Sequence, residues 1–146
     1  MQDRKVIEET LNKIYRNAHI ALQSISNVTE DTEDTEMLKE LKEEYDGYEK
    51  IIGEISGYMK QLGLQPKDIG PIKKTMMWSS IKMKTMADNS RNHIADMMLQ
   101  GTIMGIKELY SLLSEDEEKL DEQTVSLIKK LLEFEEGNEE KLKALL

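Results

Sequence analysis

Residues 91–113 read RNHIADMMLQGTIMGIKELYSLL, and their pattern decides the fold. The polar residues His93, Asp96, Gln100 and Lys107 recur at helical spacing and form one stripe. Most of the remainder is apolar: Ile94, Ala95, Met97, Met98, Leu99, Ile103, Met104, Ile106, Leu109, Tyr110, Leu112 and Leu113. A helix that is apolar around most of its girth must be covered on several sides by other helices. Gly101 and Gly105 lie in its middle. Glycine costs a helix roughly 1 kcal/mol relative to alanine, so a closely packed neighbour is the expected compensation. The stretch reads as the central helix of a bundle.

Amphipathic patterns extend outward from it in both directions. Ile7, Leu11, Ile14, Ala18, Ala21, Ile25 and Val28 make an aliphatic seam for a first helix over about 3–28. The acidic run VTEDTEDTE follows, and its Asp34 or Thr35 suits the cap of the next helix. A second helix is expected over about 36–62, on the seam Leu38, Leu41, Tyr45, Tyr48, Ile52, Ile55, Met59 and Leu62. Gly47, Gly53 and Gly57 mark close packing or a bend in it. GLQPKDIGP, from Gly63, is a stop signal followed by a turn.

Pro71 suits the first turn of a new helix. From Pro71 to Leu113 is 43 residues, about 65 Å if wholly helical. The first two helices span only about 40 Å each. A break at Asp88-Asn89-Ser90 is therefore expected, giving a helical segment over about 71–87 before the central helix; a single long helix is the rival. Ser114-Glu115-Asp116-Glu117 has capping-box spacing, and Asp121-Glu122 is a second start signal. The last helix runs over about 122–144 on Val125, Ile128, Leu131/Leu132, Glu135, Asn138, Leu142 and Leu145. The expectation is a single all-α domain over 1–146, an antiparallel four-helix bundle with an additional helical segment.

Composition narrows the function. The chain has no cysteine, which excludes disulfides, thiolate metal sites and thiol catalysis. No apolar run approaches the ~20 residues of a membrane span, and the charged start does not resemble a signal peptide. A cytoplasmic location is expected. The net charge of −9 opposes nonspecific nucleic-acid binding. Residues 67–91 depart from that balance, with six cations against two acids. The same segment carries Trp78, Met76 and Met83, and seven of the ten Met lie between Met76 and Met104. Methionine at helical spacing fills cores or gives adaptable contact faces. A homo-oligomeric or other protein contact through 71–91, with Met76, Trp78 and Met83 on its face, is the expected partner mode.

Polar residues on the inward seams are the candidate site. The first helix offers none. The second offers Tyr45 and Tyr48, and the last offers Glu135 and Asn138. Folding the last two helices about residue 118 sets Glu135 level with Gln100 and Gly101. Tyr45 falls level with His19 by the same construction, so these groups form one polar layer.

Helix number, helix length and paired polar residues at mid-helix resemble the ferritin-like superfamily, and in particular small bacterial ferritin-like bundles. That resemblance implies a Glu from each of two helices and Glu-x-x-His from each of the other two, around a pair of metal ions. In this chain Glu135-Glu136-Gly137-Asn138 stands as Glu-x-x-Asn and Tyr45-Asp46-Gly47-Tyr48 as Tyr-x-x-Tyr. Ala18, and Met97 or Gly101, stand at the corresponding places on the other two helices. Only Glu135 matches a ligand. The expectation is a non-enzymatic structural or interaction protein with no cofactor. The alternative is an iron or manganese protein in metal handling or oxidative-stress response. It draws on Glu135 with Glu49, His93, Asp96, Glu108 or His19.

Overall fold

A computed structural model of the chain describes residues 3–67 and 90–146. They form four long helices and no strand: α1 is Arg4–Thr29, α2 is Thr35–Gln61, α3 is Arg91–Asp116 and α4 is Glu122–Ala144. A single 3-10 turn, Glu117–Lys119, follows α3 directly. The helical segment expected over 71–87, with Met76, Trp78 and Met83, lies outside the described residues. No helix among the described residues is long and apolar enough to cross a membrane.

Local chemistry sets the helix ends. The Asp3 carboxylate caps α1 by accepting from the Lys5 and Val6 amides at 3.0 and 3.2 Å. Asp34 does the same for α2 through the Met37 amide at 2.9 Å. After α2, Gly63 takes a φ of +75°, the left-handed conformation that glycine adopts without strain at helix C-termini. Ser90 is extended (φ −65°, ψ 155°), and its hydroxyl accepts from the His93 amide. Ser90 itself is not helical, so α3 begins at Arg91 and no single helix spans 71–113.

Apolar side chains from all four helices share one core. Leu11, Ile14 and Ala18 of α1 are fully buried, as are Ile55 and Met59 of α2, Ile94 and Leu109 of α3, and Ile128, Leu131 and Leu142 of α4. Burying each Leu or Ile contributes roughly 1.5–3 kcal/mol. The helix ends are tied to one another. Arg4 at the start of α1 donates to the Leu62 carbonyl beyond α2 at 2.6 Å. The Asp3 amide donates to the Lys119 carbonyl beyond α3 at 2.8 Å. Arg91 at the start of α3 pairs with Glu36 at the start of α2 at 3.3 Å. Tyr58 near the end of α2 bonds Asp121, the residue before α4.

Three details correct the pattern reading. Ser114 does not cap a helix; α3 runs through it to Asp116. The turn between α3 and α4 is therefore centred later than residue 118, and Glu135 faces Gly105 instead of Gln100 and Gly101. On α2 the inward face is rotated. Met37, Glu40, Leu41, Glu44, Tyr48 and Ile51 are buried, whereas Leu38, Tyr45 and Ile52 are only half-buried.

Candidate functional site

The middle turns of the four helices meet in a layer of polar side chains enclosed by aliphatic ones. On α2, Tyr48 is 1% exposed, and its hydroxyl donates to Glu135 Oε2 of α4 at 3.1 Å. Phe134, beside Glu135, sets its ring edge-on to Tyr48 with centroids 4.9 Å apart. Gly47 makes room for that ring, because a Cβ there would fall inside Phe134. Asn138, one turn beyond Glu135 on α4, is also buried.

Glu135 is 1% exposed, and its second oxygen, Oε1, has no hydrogen-bond partner among the described residues. That oxygen points at Gly105 of α3, where a Cβ would stand only 2.9 Å away. Beside the same Cβ position, Asn17 of α1 donates to the Gly105 carbonyl at 3.2 Å and to Glu108 Oε1 at 3.1 Å. Glu108 in turn faces Arg16 at 4.0 Å, where both side chains are over a third exposed. The layer thus runs from a solvent-touching ion pair between α1 and α3, past the Gly105 gap, to the buried phenol on α2.

Burial governs the charge state of the layer. Loss of solvent pushes the Glu135 carboxyl from 4.5 up to about 8. The Tyr48 hydrogen bond opposes the rise, and the nearby charge of Glu108 adds to it. Near neutral pH Glu135 is therefore mainly a neutral acid. Burial likewise raises the Tyr48 phenol well above its usual value, reinforced by the charges of Glu135 and Glu44. The site is a neutral acid–phenol pair with amides above and below it.

The sequence-derived candidates separate on this framework. Tyr48, Glu135 and Asn138 come together in the core; Tyr45 stays half-buried at its edge. Among the residues considered as metal ligands, only Glu135 lies in the interior. Glu108 sits in the α1–α3 groove. Glu49 is exposed on α2, and Asp96 is exposed on α3, where its carboxylate accepts from Gln100. His93 lies in the first turn of α3, and His19 packs its ring against Tyr15 with centroids 4.7 Å apart. Ala18, fully buried, offers no donor from α1. These residues do not fit a di-metal ligand set. Among the described residues no three His, Asp or Glu side chains gather into a group able to hold a metal ion.

Inward polar residues that were not anticipated include Thr10, Asn17 and Asn27 on α1, whose seam had read as wholly aliphatic, and Glu40 and Glu44 on α2. The signal for the two acids was present. Met37, Leu41, Glu44, Tyr48, Ile51 and Ile55 recur at alternating four and three, a seam as regular as the one through Leu38, Tyr45 and Ile52. Asn17 carried no such mark, since it merely flanks Ala18.

No family model matches the chain, nor does any curated protein or any solved structure.

The two glycines of α3 give a direct check on the layer. Gly101 is exposed, with nothing within contact distance of a Cβ, so the close neighbour expected there is absent among the described residues. Gly101→Ala is expected to stabilise the fold by roughly 0.5–1 kcal/mol through helix propensity alone. Gly105→Ala carries the same propensity gain but pushes on the Glu135 carboxyl. Overpacking costs about 1–3 kcal/mol, so net of that gain Gly105→Ala is expected to be less stable than Gly101→Ala by about 1–3 kcal/mol in urea unfolding.

Proposed function

We propose that the chain is a ferritin-like four-helix bundle that lacks an intact di-metal site and acts as a structural or interaction protein. It belongs in the bacterial cytoplasm on this reading and self-associates through residues 71–91. The observation that carries the proposal is the separation of the candidate ligands. Of the candidate ligands Glu135 is held inside by the Tyr48 phenol and the others lie on different surfaces, and the buried Glu40 and Glu44 do not complete a group of three ligands among the described residues. A pair of divalent cations needs several carboxylates for charge compensation and coordination.

The contacts between helix ends support the ferritin-like arrangement. Arg4 with Leu62 sets α1 against the reverse direction of α2, and Asp3 with Lys119 does so for α1 and α3. Arg91 with Glu36 puts the starts of α2 and α3 together. Tyr58 with Asp121 brings the end of α2 to the start of α4. The directions that follow are up, down, down, up. This pattern requires one connection, between α2 and α3, to travel the length of the bundle, as in ferritin-like folds.

The metal-handling alternative draws on one observation, the unpartnered Glu135 Oε1 beside the Gly105 gap. Elemental analysis of protein made under iron and manganese supplementation decides between the two. The proposal predicts no stoichiometric metal, and about two ions per chain, the count of a di-metal site, contradicts it. The interaction half is tested separately. Replacing Met76, Trp78 and Met83 by polar residues is expected to reduce the mass seen by light scattering while leaving the melting temperature within a few degrees. An unchanged mass contradicts self-association through this segment.

A further inference from the structure

One buried pair of acids takes no part in the layer's Tyr48–Glu135 bond. Glu40 and Glu44 lie one turn apart on the same face of α2, and both are buried, at 7% and 1% exposure. At i and i+4 on one helix face their carboxyls are neighbours. One oxygen of each, Oε2, has no partner among the described residues. Two neighbouring carboxyls at low dielectric cannot both ionise cheaply. We propose that Glu40 and Glu44 form a proton-sharing pair that keeps α2 packed on α4 while the proton is held and loosens that seam when it leaves.

The surroundings favour retention. The charged groups acting on Glu44 are Glu40 on its own helix and Lys141 and Glu135 on α4. Burial is the largest influence and drives Glu44 far above the usual carboxylate range; Glu40 and Glu135 add to this, and only Lys141 opposes it. Lys141 is over half exposed and already faces Glu43 at 3.8 Å. Arg91 of α3 is taken up by Glu36 at the start of α2. On α1, Arg16 faces Glu108 and His19 packs on Tyr15. When the shared proton departs to solvent, the pair carries two negative charges. No cation lies within ion-pair distance of either carboxylate among the described residues.

The sign follows from linkage. A carboxyl raised by folding stabilises fully below its unfolded value, and that stabilisation is lost as pH rises through the folded value. Glu135 follows the same rule but finishes near pH 8. The raised Tyr48, Tyr58 and Tyr110 phenols cost stability only as pH approaches the ordinary phenol value of about 10, so a loss between about pH 8 and 9 that the α2 variants remove reports on the pair.

The test is thermal melting of the full chain by circular dichroism at about pH 6, 8 and 9, below the ordinary phenol range, with Glu44→Gln, Glu40→Gln and Glu135→Gln beside it. The wild-type midpoint is expected to keep falling above about pH 8, the unfolding constant rising about tenfold per pH unit while one proton is released. Glu44→Gln and Glu40→Gln are expected to flatten that fall, and Glu135→Gln to retain it. Amide exchange around Asn138 and Leu142 of α4, corrected for intrinsic rate, should speed up in the same range more than exchange around Leu109 of α3. A flat wild-type midpoint above about pH 8, or a Glu44→Gln slope equal to wild type, overturns the proposal. So does uniform acceleration of exchange. Should neither α2 variant fold, carbon-detected NMR titration of the wild-type carboxyls decides. A Glu44 carboxyl still protonated at neutral pH supports the pair, and titration in the ordinary carboxylate range of about 4–5 refutes it.

Discussion

The hydrogen bond from Tyr48 to Glu135 is the constraint around which this bundle is arranged. A carboxyl at 1% exposure is tolerable only if it is paired, bonded or neutral. Here it is bonded to a phenol and, near neutral pH, mainly protonated. That contact joins α2 to α4 across the interior by a direct side-chain hydrogen bond. Aliphatic seams slide and rotate at little cost, whereas a buried polar contact has one good geometry. The pair thus fixes the register of the two helices, in the way a single buried polar residue fixes a coiled coil.

Small residues make this layer possible. Gly47 gives Phe134 a place on the tyrosine ring, and Gly105 gives the second Glu135 oxygen its space. Asn17 then closes the layer on the α1–α3 side by donating to the Gly105 carbonyl and to Glu108. Each glycine therefore costs helix propensity and returns packing or polar contact at mid-height. Gly101 shows the contrast, since its Cβ position is open.

Periodicity revealed the helices and most of their bounds, because apolar spacing and caps are local properties. Ser90 as a cap and Gly63 as a stop are both visible in the order of residues. Rotational phase was harder to read. On α2, two seams of equal regularity compete, and the one through Leu38, Tyr45 and Ile52 looked better because it is apolar. The chain instead buries Glu40 and Glu44, trading hydrophobic match for a pair of acids that can share a proton. Height along α3 also shifted. The helix runs on past Ser114 and ends in a 3-10 turn, which no capping pattern announces. Glu135 and Asn138 were legible because they interrupt an otherwise aliphatic seam. Tyr48 was legible as a member of the same layer, whereas the Gly105 and Asn17 neighbours were not, since their height depends on turn geometry at the far end.

The account rests on the energy shared between Tyr48 and Glu135. A double-mutant cycle with Tyr48→Phe, Glu135→Gln and the double variant, measured by urea unfolding near neutral pH, reads that energy. A coupling of about 1 kcal/mol or more between the two side chains is predicted, as for buried groups in direct contact. Additive effects, with a coupling near zero, contradict the claim that this bond organises the interior.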